Sequence, residues 1–239
     1  PRSSLEALAA QSWYSSFRHI FFHEDSRADN ATRRRYADVH FVHVGAYFAK
    51  RAGRARLPID GAICATDRAT TLRYPPSYRT MCAFWFADVF LRFAETRACE
   101  FALRIDGDCV LEPGQPDPLL ALPRAVSSPF WQGMDSPWVI RGLARFFEQL
   151  DHRCHLNEQA ALLQSAIPNL TTHWRVWRSP YTNVMMLNVT WVREQRPIFA
   201  AVANTNCIYS ARWGDLPLWG ATLHLSRLPA QHLNLSYTH

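Results

Sequence analysis

Asp106 and Asp108 stand one residue apart, just after a run in which Phe101, Leu103 and Ile105 are apolar. Apolar residues of this kind are what a buried strand requires. Gly107 relaxes the backbone, so the chain is expected to turn where the strand ends. Two carboxylates at the carboxyl end of a sheet strand make a hard-oxygen site for Mg²⁺ or Mn²⁺. Ligand crevices in open α/β sheets lie outside such strand ends. A divalent ion there can bridge a diphosphate, neutralise it and help it leave. The chemistry implied is transfer from a nucleotide-sugar. The competing reading is a solvated Asp-Gly-Asp turn closed by two Asx bonds.

The elements that must position this pair can be read on either side of it. Residues 4–10 have a helical pattern with Ser4 as the expected cap. Arg18–His23 and Val39–Val44 read as strands. His40 and His43 are three apart, so on a strand they face opposite sides and cannot share a metal. The clearest helix starts at Pro75-Pro76-Ser77, with Met81, Cys82, Trp85, Phe86, Val89, Phe90 and Phe93 as a broad buried stripe. Tyr78 and Arg79 fall in its first turn, where amides and dipole favour phosphate. Phe130–Met134 could be a further strand and residues 137–150 a helix. Asn183–Val189 reads as a strand, 191–203 as a helix and 217–225 as a last helix. Asp151-His-Arg-Cys-His155 with Glu158 has the content of a metal cluster but matches no zinc spacing. Strands alternating with helices imply an α/β fold, a largely parallel sheet with helices on both faces.

Composition narrows the function further. The chain has 239 residues, 48% hydrophobic, so a sizeable core is available. Net charge is +6, and Lys50 is the only lysine, so almost every cation is an arginine suited to phosphate. No nucleic-acid motif is present. Six widely spaced cysteines permit up to three disulfides and contain no Cys-x-x-Cys pair. Four glycosylation acceptor patterns begin at Asn30, Asn169, Asn188 and Asn234, which favours a secretory lumen. No stretch of about 18 apolar residues occurs, so no membrane span is expected within the sequence. The expectation is a luminal fragment whose leader or anchor has been removed.

Three blocks occur in order: Tyr78-Arg-Thr-Met-Cys82, Arg104-Ile-Asp-Gly-Asp108, and Arg212-Trp-Gly-Asp-Leu-Pro217 running on to Ser236-Tyr-Thr-His239. Together they resemble the fungal-type Golgi α-1,2-mannosyltransferases, glycosyltransferase family 15. That family carries Tyr-Arg-x-Met-Cys, Arg-Val-Glu-Pro-Asp, Arg-Trp-Gly-Asp-Ala-Pro and a late Gly-Tyr-x-His. The resemblance covers roughly residues 74 to 239. It implies a single GT-A-type, Rossmann-like catalytic domain over residues 1–239. It also implies a GDP-mannose donor, Mn²⁺ (or Mg²⁺), retention of anomeric configuration, and a glycan or glycoprotein acceptor. The implied location is the Golgi or endoplasmic reticulum lumen, as a type II membrane protein in full-length form. Carried over by residue, Asp106, Asp108 and His239 hold the metal. Tyr78, Arg79, Arg104, Asp106 and Asp108 face the donor. Asp215 and Asp108 are the catalytic candidates, Asp215 by orienting a sugar hydroxyl.

The departures are specific. Asp replaces Glu at 106, which shortens the reach by one methylene, and Gly107 replaces Pro. Met185 stands where the family has a Glu argued to be a nucleophile, and a thioether cannot take that role. A front-face route, in which the departing diphosphate takes the acceptor's proton, needs no such residue. The alternatives are a UDP-sugar donor or an inert glycan-binding relative.

Overall fold

The structure is a computed structural model that describes residues 3–24, 30–56, 63–64, 73–132, 140, 142–155 and 178–239. Helix α1 (Ser4–Ala9) is capped by Ser3, not Ser4. The Ser3 hydroxyl accepts from the Glu6 amide, and the Glu6 carboxylate accepts in return from the Ser3 amide. This reciprocal cap settles where the helix starts. It frees Ser4 to donate its hydroxyl to the Gly107 carbonyl at 2.6 Å, which pins the Asp-Gly-Asp turn to α1.

Strand β1 (His19–His23), helix α2 (Asn30–Arg35), strand β2 (Val39–His43) and helix α3 (Gly45–Ala52) follow. β1 and β2 pair in parallel. His40 sits beside Glu95 and His43 against the Glu24 carbonyl, so the two rings serve different surfaces. The aromatic helix then opens with a proline in its first turn as α4 (Pro76–Ala83). It widens into a π-helical turn over Phe84–Asp88 and resumes as α5 (Val89–Arg92). Phe84 packs edge-on against Phe22 and Phe93, while Phe86 packs against Phe199 and Trp219. The middle of this helix, Cys82–Phe90, is buried except for the half-buried Trp85, and it is apolar there apart from Asp88. Its one buried acid, Asp88, takes bonds from Arg92, Arg51 and the Tyr47 hydroxyl.

The remaining elements are α6 (Ala94–Arg97), β3 (Phe101–Ile105), β4 (Val110–Leu111), β5 (Val126–Ser128), β6 (Trp131–Gln132), α7 (Leu143–His155), β7 (Ser179–Pro180), β8 (Val184–Asn188), α8 (Val189–Glu194), α9 (Arg196–Thr205), α10 (Cys207–Ala211), α11 (Asp215–Leu225), β9 (Gln231–His232) and β10 (Tyr237–Thr238). The helix expected over 191–203 is two helices, because Pro197 starts a new first turn in α9. Residues 133–134 and Glu158 lie outside the described residues, as does Asn169.

The central sheet runs β3-β8-β5-β9. The α/β class stands, but the pairing is mixed rather than mostly parallel. β8 lies antiparallel to both β3 and β5, and among the described residues only β5–β9 and the separate β1–β2 pair are parallel. Alternation of strands and helices counts elements; it does not fix the direction in which each one re-enters the sheet. β8 enters between β3 and β5 and reverses the polarity there.

Side-chain period sorts the sheet into two cores. Ala102 of β3 and Met185 and Leu187 of β8 face the larger core with Phe86, Phe90, Trp213 and Trp219. Phe101, Leu103 and Ile105, with Val184 and Met186, face the smaller one with Trp13, Leu111 and Leu233. Met185 stands opposite Arg104 in the ladder and is fully buried. A disulfide joins Cys64 to Cys207; Cys82, Cys99 and Cys109 are free thiols.

Met185 is therefore a core residue. Met185→Ala is expected to lose about 2–5 kcal/mol of stability in urea unfolding, whereas Met185→Leu, nearly equal in volume, is expected to lose less than about 1.5 kcal/mol. Equal small losses for both would contradict this placement.

Candidate active site

The site is built at the end of β3. The backbone amide of Asp106 donates to the Asn183 carbonyl at 2.8 Å, and the Cys109 amide donates back to the Asp106 carbonyl at 3.0 Å. The second bond closes a tight turn over residues 106–109. Gly107 is not in the left-handed region, and a Cβ there would meet no atom within 4 Å. The turn is thus held by its hydrogen bonds and by Ser4. It does not need the freedom of glycine.

Arg104 lies under this turn, 5% exposed, between two carboxylates. Its Nε donates to Asp106 Oδ1 at 2.9 Å and its Nη2 to Asp106 Oδ2 at 3.2 Å. Its Nη1 donates to Asp215 Oδ2 at 2.8 Å. The guanidinium also stacks on Trp85, 4.4 Å from the ring centroid. Burial works against the Arg104 charge, but Asp106 and Asp215 more than offset it and hold its pKa above the ordinary value. Burial raises the Asp106 carboxyl; Arg104 pulls it down, while Asp215 and Asp108 add repulsion, and the net direction is up. Asp215 is the first residue of α11, where the helix dipole favours a negative charge.

Asp108 points the other way, into solvent. β10 pairs antiparallel with β4, Tyr237 opposite Leu111 and Thr238 opposite Val110. The Glu112 amide donating to the Ser236 carbonyl extends the same register. Continued one step, this register sets His239 across from Cys109. His239 Nε2 lies 3.2 Å from Asp108 Oδ2. The Cys109 sulfur completes a cluster in which the three ligand atoms lie within 4.8 Å of one another. Asp106, assigned to the metal by sequence, is not in this cluster: both its oxygens accept from Arg104. The structure brings Asp108 and His239 together and sets Asp106 beneath them as a partner of Arg104. Burial, with Asp106 and Asp108 nearby, pushes the Cys109 thiol up to about 11.

The third block forms the adjoining wall. Arg212, in the left-handed region with φ 56°, lies 3.8 Å from the Tyr74 ring centroid. It donates to the Tyr78 hydroxyl at 3.2 Å. Tyr78 remains 36% exposed. Arg79 is buried, donates to the Ser210 carbonyl at 3.0 Å, and leaves its Nε without a hydrogen-bond partner. Its burial lowers its pKa. Tyr78 thus reaches the surface, while Arg79 and Arg104 are largely enclosed.

Sequence reasoning named Asp108, His239, Asp106, Asp215 and Arg104 but missed Cys109, Trp85 and Arg212. The adjacency of Cys109 to Asp108 was the one available signal. Among the acceptor asparagines, the Asn188 side chain caps α8 by accepting from the Trp191 amide, whereas Asn234 is exposed.

No protein-family model matches the chain, and no curated protein sequence matches it. Solved structures do. Core-mannan synthase A from Aspergillus fumigatus, in a Mn/GDP form, aligns with a TM-score of 0.66 and 14% identity. The alignment covers 99% of this chain and 71% of that one. The mannosyltransferase Ktr4p from S. cerevisiae, in complex with GDP, aligns with a TM-score of 0.68 and 14% identity over 99% of this chain and 66% of its own. A second structure of Ktr4p gives 0.67, 15%, 99% and 65%. The chain has the fold of these fungal mannosyltransferases. At such identities the likeness establishes the fold alone, and the chain spans roughly two thirds of the length of each Ktr4p structure.

The buried Arg104 triad makes a pH prediction. Arg104→Met leaves two enclosed carboxylates without a counter-charge, so a loss of about 3–5 kcal/mol is expected at neutral pH. Burial already holds the Asp106 carboxyl above its ordinary value, and the variant removes the downward pull of Arg104. Its penalty therefore fades as the pH falls through the raised folded value toward about 4. Urea melts at pH 7 and pH 5 should show the gap to wild type narrowing at the lower pH; a constant gap would rule out the carboxylates as its source.

Proposed function

We propose that the chain is a metal-dependent, retaining glycosyltransferase that moves mannose from GDP-mannose to a glycan or glycoprotein acceptor. The carrying observation is the pairing of β10 with β4, which delivers the His239 imidazole to the Asp108 carboxylate. An exposed carboxylate and an imidazole at the end of a sheet strand are a fitting donor set for Mn²⁺ or Mg²⁺ beside a diphosphate. The fold shared with enzymes solved with GDP supports the same donor class.

Asp108 and His239 would hold the cation, which when bound supplies positive charge against a departing diphosphate. Asp106 stands behind them with both oxygens held by Arg104, and lends negative charge to the site. Tyr78, with Arg212 stacked beside Tyr74, offers an aromatic and cationic wall for a nucleotide. Arg79 adds an enclosed positive charge at the base of that wall. Asp215, held by Arg104 at the start of α11, would orient a sugar hydroxyl. Met185 is a thioether buried in the core, so no carboxylate stands at that position. The front-face route, with the acceptor's proton passing to the leaving diphosphate oxygen, needs none. The same missing carboxylate favours a second reading, a relative that binds glycan or nucleotide without turnover.

We further propose one catalytic domain over residues 1–239, working in the Golgi or endoplasmic reticulum lumen and held to the membrane in full-length form by an N-terminal anchor. The Cys64–Cys207 disulfide and the exposed Asn234 acceptor support an oxidising, glycosylating compartment. Among the described residues no helix is long and apolar enough to cross a membrane.

A panel of nucleotide-sugars, assayed for hydrolysis and transfer with and without Mn²⁺, tests donor, metal and activity together. Activity with GDP-mannose that is lost in excess EDTA is expected; full turnover in EDTA would end the metal claim. Binding of GDP and Mn²⁺ without hydrolysis or transfer would select the second reading. Asp108→Ala should abolish transfer yet shift stability by no more than about 0.5 kcal/mol, since the side chain is mostly exposed.

A further inference from the structure

The cluster at the β4–β10 junction contains a ligand of a different chemical kind from those a magnesium or manganese site prefers. Asp108 and His239 are exposed and form its rim, while Cys109 is buried and forms its floor. The register explains the grouping. Cys109 and His239 occupy facing positions one step beyond the Val110–Thr238 pair, and facing residues of an antiparallel pair hold their Cβ atoms about 4.5–5.5 Å apart. Asp108 precedes Cys109 on the hydrogen-bonded turn, so the carboxylate arrives from the third side. The sulfur also interacts with the Asn183 side chain, and Asn183 accepts from the Asp106 amide through its own carbonyl. An outer partner that orients a ligating atom is a common feature of metal centres.

We infer that Cys109 is a third protein ligand of the cation bound by Asp108 and His239, and that its sulfur gives this site a selective hold on thiophilic divalent ions such as Zn²⁺ or Co²⁺. Three ligands with spacing under 4.8 Å suit a cation at bond lengths of about 2.0–2.3 Å after small side-chain rotations. The exposed rim leaves an outer position for a water or a phosphate oxygen, the arrangement of sites that act on substrates rather than only brace a fold. As the sulfur–metal bond forms, the thiol S–H bond breaks and its proton passes to solvent. The inference rests on the preceding reading of Asp108 and His239 as cation ligands. Its test needs no sugar donor, so it succeeds or fails separately from transfer.

The test is a Co²⁺ titration of the intact protein, followed by near-ultraviolet absorption for a sulfur-to-cobalt charge-transfer band, with Zn²⁺ and Mn²⁺ affinities measured by calorimetry. Wild type should show the band. Cys109→Ser should abolish it and weaken Zn²⁺ by about tenfold or more while leaving Mn²⁺ nearly unchanged. A nitrogen–oxygen site also prefers zinc to manganese, so the ratio alone decides nothing; its change in Cys109→Ser does. His239→Ala, at an exposed position, should diminish the band and serves if the serine variant folds poorly. The idea is overturned if wild type binds Co²⁺ without the band. It is equally overturned if the band persists in Cys109→Ser, or if Zn²⁺ binding is the same in both proteins.

Discussion

A buried guanidinium holding two carboxylates organises this molecule. Arg104 projects from β3 into the larger core, where an isolated charge would be costly. Asp106 and Asp215 make it tolerable, and they come from different parts of the chain: one from the turn after β3, the other from the first residue of α11. The triad therefore ties the sheet to the last helix. Trp85 closes it from the π-helical turn, so a third element is committed to the same point. Removing either carboxylate would leave guanidinium N–H groups without their acceptors. Asp106 lies within the motif, yet both its oxygens are engaged by this guanidinium.

The surface cluster depends on a lighter device. Two residues of β10 against two of β4 bring the end of the sequence to the Asp-Gly-Asp turn. So short a ladder is weak alone. It is supported by Tyr237 and Leu235 packing into the smaller core and by the Ser236 amide donating to the Gln115 side chain. A rigid interior triad and a lightly held rim thus sit back to back across a four-residue turn. One fixes geometry; the other can accommodate a ligand.

Much of this was legible in the residues, and the failures have physical reasons. The motif blocks located Asp108 and His239, whose meeting needed only that the tail return to the strand end. The helix from Pro76 was plain because its aromatics are dense. Arg104 was harder: in the run Phe101-Ala-Leu-Arg-Ile105 it falls on the face that alternation assigns to solvent, yet both faces of this strand are covered. Pairing direction is not encoded in element order, so the reversal at β8 shows only in the structure. Gly107 was given a conformational role that its ordinary backbone does not require. Cys109 escaped notice because its role arises from a two-residue ladder that carries no periodicity to detect.

The widened turn at Phe84–Asp88 divides one long helix into halves that answer to different neighbours. Upstream, α4 meets α10 and α3; downstream, α5 meets α8. Each residue of a helix advances the face by about 100°, so the extra residue in the loop of this turn acts as a phase shifter between the two. Deleting a single residue there would leave both halves helical while rotating one against the other. Trp85 would swing away from the guanidinium, and the Tyr78–Arg212 wall would lose alignment with the sheet.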